Sequence, residues 1–446
     1  MTKTGITPLS IPRGTALYIG ALLGPGVLLL PGLASSIAGP AAILAWAGLL
    51  AVSALFAIVF TALGSRFPGE GGVGAYTRAG LGERSGTAAS WCFLLGVVTG
   101  APVVCLIGGG YVASLIGGGQ LATTASAAGL LLLVLAMTLG GTKTSTGVQL
   151  VLVAILLAVV ILGVAGSAHA AHARNWAPFA PHGWAATGKA ASVIMLSFIG
   201  WEAVAPLTAR FRSPRQLSRV VTIAFVTTAA LYLTLAATTT AVLGSSAGSN
   251  VPLVGLLQIA VGPAGRGIAA GAAVLLTLGS TNAYLSGAAV MARSLTARST
   301  GAGSPASAGR PPKAMYLGIA AAGLLIIGLN SVHLLSTAQL VTIPTALFIT
   351  VYLGCTGSAV RVLSGWSRAA AWPALAAVIV VLAFSGWAAV FALVIAAAAA
   401  SLSGHRHPSR TPLAQVRSIP GHELLSHDTP SAAAVPLPDR DSVLVP

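Results

Sequence analysis

The stretch Gly20-Ala21-Leu22-Leu23-Gly24-Pro25-Gly26-Val27 lies inside a long apolar segment and contains residues that interrupt helices. The proline at position 25 lacks a backbone N–H group, and its ring clashes with the preceding helical turn. The glycines on either side allow the backbone to leave helical dihedral angles at little steric cost. Unwound backbone at membrane depth is tolerated only where it is buried in protein or lines a cavity. The stretch therefore predicts a broken membrane-spanning helix whose gap lines a binding site, whereas close helix packing is the favoured interpretation for Gly20 taken alone.

The composition places the whole chain in a membrane. Of its 446 residues, 56% are hydrophobic and 7% are charged, whereas about a quarter of the residues in a typical soluble domain are charged. Just three carboxylates, Glu70, Glu83 and Glu202, precede residue 403. This excludes an ordinary cytosolic enzyme. The net charge of +16 comes mainly from bases in short gaps between apolar runs, so it indicates membrane orientation rather than nucleic-acid binding.

About twelve apolar segments approach the length of about 20 residues that a helix needs to cross a bilayer core. The predicted spans are Gly14–Ile37, Pro40–Leu63, Ala88–Ile116, Thr124–Leu139, Gly147–Gly166, Lys189–Leu207, Arg219–Leu243, Gly265–Ala297, Ala314–Leu329, Leu334–Leu353, Ala371–Phe384 and Trp387–Leu402. They predict an all-α integral membrane domain over residues 14–402, between a cytoplasmic N-terminus (1–13) and a disordered cytoplasmic tail (403–446). With this arrangement only Arg174, Lys189 and Arg266 fall in outer gaps, and the other lysines and arginines lie in the inner gaps and at the two termini. This excess of positive charge on one side predicts a multi-pass protein of the cell membrane with both termini in the cytoplasm.

The sixth span contains a second break. It includes Ser197-Phe198-Ile199-Gly200-Trp201-Glu202, is followed by Pro206, and carries the only acid predicted to lie within the membrane. Interrupted helices at matching positions of two halves indicate the binding site of a transporter. The N-terminus of a half-helix suits a carboxylate, and the carbonyls at the breaks suit an ammonium group. An amino acid carries both groups.

Three motifs resemble those of the amino acid–polyamine–organocation (APC) transporters. Gly20, Gly24 and Gly26 fit a Gly-x-x-x-Gly-x-Gly pattern, and residues 64–72 resemble a Phe-Pro-x-x-Gly-Gly loop after span two. Residues 197–202, followed by Ser213-Pro214, resemble the family's sixth-span motif. The similarity extends over roughly residues 10–400 and is greatest to bacterial exporters of methionine and branched-chain amino acids. It implies a five-plus-five inverted repeat with two extra helices, broken helices 1 and 6, and alternating access around a midplane site.

The resemblance also implies which residues act. The substrate-binding candidates are positions at the two breaks: Gly20, Gly24, Gly26, Val27, Phe198, Ile199 and Gly200. Trp201 and Glu202 are candidates for a gating or proton-linked role, with packing and helix capping as the respective alternatives. Ser280 and Thr281 form a candidate cation site, although hydroxyls in membrane helices commonly bond to their own backbone. No metal site or cofactor is predicted, and the candidate coupling ions are H+ and Na+.

These observations predict a secondary carrier that exports neutral apolar amino acids such as methionine, leucine, isoleucine or valine. A proton-coupled uptake permease and an amino acid/polyamine antiporter of the same fold are alternatives. From another class, a membrane enzyme acting on a lipid-linked substrate would need a cluster of acids, histidines or a nucleophile, and the cytoplasmic loops contain only Glu70 and Glu83. The expected partners are the amino acid and the lipid bilayer, without nucleic acid, and the oligomeric state is open.

Overall fold

The computed structural model describes residues 9–24, 26–67, 72–140, 146–204, 211, 213–300 and 313–403. Over these residues the chain consists of helices and connecting turns, without a β-strand. The α-helices are α1 (Ile11–Leu22), α2 (Gly26–Ala38), α3 (Ala42–Arg66), α4 (Gly72–Ile116), α5 (Gln120–Leu139), α6 (Thr146–Ser167), α7 (Trp184–Ile194), α8 (Trp201–Val204), α9 (Pro214–Leu243), α10 (Pro252–Val261), α11 (Ala264–Thr300), α12 (Lys313–Ser331), α13 (Thr337–Val362), α14 (Gly365–Ala383) and α15 (Trp387–Ser403). The predicted all-α class is confirmed.

Many of these helices are suited to a membrane. In the part of the chain that the structure describes, eight helical stretches are long and apolar enough to cross a bilayer. Large apolar side chains also lie on the outer surface, among them Leu121, Leu317 and Val390, each more than half exposed. A helix satisfies its own backbone hydrogen bonds, so it can present such side chains to lipid. The number of spans stays a prediction.

Two helices differ most from the predicted spans. α4 begins at Gly72, well before the predicted start at Ala88, and bends at Gly82, whose φ is 84°. The part of α4 before Gly82 is too polar to resemble a membrane span, but it packs against α13. The Ser358 hydroxyl of α13 donates a hydrogen bond to the Tyr76 carbonyl at 2.5 Å. α10 was not predicted at all, because its ten residues are too few to span a membrane.

Both predicted breaks lie where the backbone departs from the α-helix. α1 ends at Leu22, Leu23 has φ −88° and ψ 73°, and α2 begins at Gly26. After α7 the chain forms one 3-10 turn over Met195–Phe198 and then extends at Ile199 (φ −79°, ψ 126°) before α8. Several predicted features lie outside the described residues: Pro25, the loop 68–71, Pro206, residues 1–8 and the tail from residue 404.

Candidate functional site

The two breaks border one small cavity in the interior of the bundle. Its volume is about 50 Å³, and since one water needs about 10–15 Å³ the cavity holds a few waters in this conformation. The lining comes from both breaks and from α4, α11 and α13: Gly24, Gly26, Gly96, Val97, Gly100, Ala101, Val104, Ile107, Leu196, Ser197, Ile199, Thr281, Tyr284 and Phe348. The structure thus brings four predicted site residues, Gly24, Gly26, Ile199 and Thr281, to one apolar cavity with a few polar groups.

The first break supplies backbone to this cavity because two of its residues lack side chains. A Cβ atom at Gly24 would meet nothing within 4 Å, whereas one at Gly26 would lie 2.9 Å from the Leu30 side chain and 3.2 Å from Ser197 Oγ. The Val27 N–H group donates to the Gly24 carbonyl at 3.2 Å. α2 starts here, and the first-turn N–H groups of a helix have no helical acceptor. This end of the cavity therefore suits a carboxylate.

The second break is held by tyrosine hydroxyls. Tyr232, on α9, places its hydroxyl 3.0 Å from the Leu22 carbonyl oxygen and 3.2 Å from that of Ser197, so it connects the two breaks. The Tyr284 hydroxyl, from α11, lies 3.4 Å from the Ile199 carbonyl oxygen. The sequence gives no sign of either role, because neither tyrosine lies near a glycine or proline that marks a break.

Gly200 permits a close approach between the two breaks. A Cβ atom there would lie 2.4 Å from the Ala21 carbonyl oxygen, and the residue has a φ of 154°. Since the obstructing atom belongs to the backbone of α1, a side-chain movement cannot relieve the clash. The glycine is required by this contact rather than by the cavity, which it does not line.

We expect Gly200→Ala to lower the thermal stability of the purified protein. Forcing a methyl group into a closely packed contact typically costs about 1–3 kcal/mol, and the unfolding temperature in detergent should fall accordingly. Gly287→Ala is the matched control, because a Cβ atom at this position of α11 meets nothing within 4 Å. Equal unfolding temperatures for the two variants would contradict the close approach of the breaks.

Glu202 is buried, with 3% of its surface exposed, at the start of α8. Its Oε2 atom accepts hydrogen bonds from the Gly200 N–H group at 2.9 Å and from the Tyr352 hydroxyl at 2.6 Å. Its Oε1 atom has no hydrogen-bond partner among the described residues. The carboxylate thus joins the second break to α13, and whether Glu202 acts in gating, proton coupling or helix capping stays a prediction. Tyr352 was another residue that the sequence did not reveal.

The neighbouring aromatic candidates are packed in the interior. The Trp201 indole N–H donates to the Ser53 hydroxyl at 3.0 Å, and its ring meets Tyr18 edge-on at 6.2 Å. The Phe198 ring lies against Trp46 and Tyr232. Three further candidates, Gly20, Val27 and Phe198, do not line the cavity. Whether Trp201 gates access stays a prediction.

The candidate cation site consists of two residues with different surroundings. The Ser280 hydroxyl donates to the Leu276 carbonyl of its own helix at 2.5 Å. Thr281 lines the cavity and is 2% exposed, and its hydroxyl has no hydrogen-bond partner among the described residues. Ser280 therefore has the contact expected for a hydroxyl that bonds to its own backbone, whereas Thr281 is the member of the pair that lines the cavity.

A family model described as amino acid permease matches residues 9–299. The chain belongs to the amino acid permease family. The resemblance drawn from its motifs is thereby confirmed, as is the prediction of a transporter rather than an enzyme, because the family and the relatives transport their substrates. This permease is a multi-pass membrane protein, and its family implies a small-molecule amino acid substrate.

Relatives of the permease differ in how much of the chain they cover. This permease is 28% identical over 396 residues to the uncharacterized amino acid permease YecA of Bacillus subtilis, and the alignment covers 86% of this chain and 93% of that protein. It is 30% identical over 212 residues to the L-methionine/branched-chain amino acid exporter YjeH of Escherichia coli, covering 47% of this chain and 50% of the exporter. The branched-chain amino acid permease BcaP of Bacillus subtilis is 27% identical over 268 residues, with 55% of this chain and 57% of BcaP covered.

Proposed function

We propose that this permease exports neutral apolar amino acids, with methionine, leucine, isoleucine and valine as the substrates to test first. The observation that carries the proposal is an apolar cavity bordered by both helix breaks. The α-carboxylate would lie at the start of α2, and the ammonium group would face the carbonyls near Ile199. The apolar lining from Val97, Val104 and Phe348 would receive the side chain.

The charge inventory of the site favours a neutral substrate. None of the residues that line the cavity is charged, and Glu202, the acid at the second break, is not part of the lining. An unpaired cationic side chain in an apolar cavity carries a large desolvation cost. Export is preferred because YjeH is described as an exporter of methionine and branched-chain amino acids.

The remaining parts of the proposal concern architecture and coupling. We place the helices in a five-plus-five inverted repeat with two additional helices, about twelve spans in all, with broken helices at equivalent positions. The concentration of arginine in alternate gaps supports a cell-membrane location with both termini in the cytoplasm. Proton or sodium coupling would supply the driving force, with Thr281 as a candidate ligand of the cation because its hydroxyl lines the cavity.

We expect proteoliposomes loaded with unlabelled methionine or leucine to accumulate the matching labelled amino acid by counterflow. Vesicles loaded with arginine, glutamate or putrescine should show no more uptake than empty vesicles, because the cavity lacks a free partner charge. Stimulation by arginine or putrescine instead would contradict the neutral specificity. If none of these compounds stimulates uptake by protein that is shown to be folded, the result would contradict an amino acid substrate in this cavity.

Direction is tested separately in cells. Cells that express the permease and are loaded with a methionyl dipeptide should release methionine faster than cells carrying an empty vector. Faster methionine uptake with unchanged release would overturn export while leaving the substrate assignment intact.

A further inference from the structure

A larger groove lies between α3 and α9 and shares no lining residue with the central cavity. Its volume is about 670 Å³. The lining residues are Ala54, Ala57, Ile58, Thr61, Ala62, Gly64, Ser65, Phe211, Ser213, Pro214, Leu217, Ser218, Val221, Thr222 and Phe225. They extend along about three turns of each helix, which corresponds to about 16 Å at 1.5 Å per residue. The proposed amino acid site does not need this groove.

The groove changes character along its length. The end of α3 and the start of α9 contribute small polar residues, namely Ser65, Ser213 and Ser218. Farther along the two helices the lining becomes apolar, with Ala54, Ile58 and Phe225. Thr222, Ile223 and Val226 on the same stretch of α9 are exposed. The lining is mostly apolar throughout, with serines concentrated near one end, and an open groove of this kind can receive an acyl chain.

Three arginines lie on the helix ends that form the serine-containing end of the groove. Arg66 ends α3, and Arg215 and Arg219 occupy the first turns of α9, one helical turn apart. All three are exposed, and the ion pair that the described residues form, Arg78 with Glu83, does not involve them. On a helical projection Arg215 is adjacent to Ser218 and Thr222, and Arg66 is adjacent to Ala62. None of the three arginines lines the groove, but they lie on the same helix ends as the serines that do.

We propose that this groove binds one anionic phospholipid, with an acyl chain along Ala54, Ile58 and Phe225 and the phosphate beside Arg66, Arg215 and Arg219. Basic pockets between membrane helices on the cytoplasmic side attract anionic headgroups. A zwitterionic lipid carries an amine that offsets its phosphate, so the arginines favour lipids with net negative charge. The site faces the leaflet that the positive-inside pattern makes cytoplasmic.

Native mass spectrometry of the full-length detergent-solubilised protein tests the proposal with dioleoylphosphatidylglycerol and dioleoylphosphatidylcholine as probes. The wild-type protein should retain one phosphatidylglycerol more tightly than phosphatidylcholine. The triple variant Arg66→Gln/Arg215→Gln/Arg219→Gln should weaken that binding at least about fivefold, which is the effect of one arginine near a lipid headgroup. Arg368→Gln, which removes an exposed arginine at the start of α14, is the matched control and should bind like the wild type.

A second pair of variants tests the acyl-chain end without changing charge. Ala54→Trp fills the groove, whereas Ala230→Trp adds the same side chain at an exposed position of α9 outside it. Loss of the retained phosphatidylglycerol in Ala54→Trp alone supports the site. Equal retention of the two lipids by the wild type, an equal loss in Arg368→Gln, or unchanged binding in Ala54→Trp would each overturn it.

Discussion

A Gly24→Leu variant of this permease is expected to insert and fold normally but to lose methionine counterflow by about 100-fold or more. The position is open, since a Cβ atom at Gly24 meets nothing within 4 Å, and its φ lies outside the range that excludes side chains. The added leucine would therefore occupy the cavity of about 50 Å³ rather than disturb the helices. Displacing a substrate by as little as 1 Å can cost about 100-fold in activity. The rate of counterflow in proteoliposomes, together with the unfolding temperature, measures both parts of this expectation.

The control for this variant is Gly48→Leu, which makes the same substitution at an exposed position of α3 where a Cβ atom also meets nothing within 4 Å. It should transport at the wild-type rate. A substitution at Gly26 would be harder to interpret, because a side chain there would clash with Leu30 and Ser197 and could alter the fold as well as the cavity. Wild-type counterflow by Gly24→Leu would show that the substrate does not pass through the cavity between the breaks.

The breaks themselves could be predicted because their cause is local. A proline and two glycines within three residues at 24–26 weaken a helix whatever surrounds it, and Gly200 marks the second break in the same way. The hydrophobic runs likewise fix where helices lie, since about 20 apolar residues are needed to cross a bilayer. These features depend on composition within one or two helical turns, which a single sequence displays.

The groups that hold the breaks could not be predicted, because they come from distant parts of the chain. Tyr352 lies 150 positions from Glu202, and Tyr232 lies 210 positions from Leu22. A tyrosine in an apolar helix has the same appearance whether it packs, anchors or donates a hydrogen bond. The helical segment before Gly82 escaped notice for a related reason: its stability comes from packing against α13, and its own residues are too polar to indicate a span.

We expect Glu202→Ala to lower counterflow at least about tenfold and Glu202→Gln to restore most of it. Removing the carboxylate takes away the acceptor of the two shortest hydrogen bonds at the second break, and each lost hydrogen bond costs about 0.5–1.5 kcal/mol. The Gly200 N–H group then keeps only its contact of 3.3 Å with the Tyr352 hydroxyl, and that hydroxyl keeps its contact of 3.2 Å with the Phe198 carbonyl. Because Gly200 packs against Ala21, a shift at this point would move both breaks. The glutamine amide oxygen can accept both hydrogen bonds, so it should preserve the break even though it cannot carry a proton.

A double-mutant cycle with Tyr352→Phe tests whether Glu202 positions the second break or carries a proton. If Glu202 acts by joining the second break to α13, then Tyr352→Phe should add little to the defect of Glu202→Ala, and the two changes should be non-additive by about 0.5–3 kcal/mol. A carrier in which Glu202 transports the coupling proton predicts a different pattern. Glu202→Gln would then retain counterflow, which needs no net proton movement, but would lose accumulation driven by a pH gradient as completely as Glu202→Ala. Full gradient-driven transport by Glu202→Gln, combined with a defective Glu202→Ala, therefore identifies the carboxylate as the group that positions the second break.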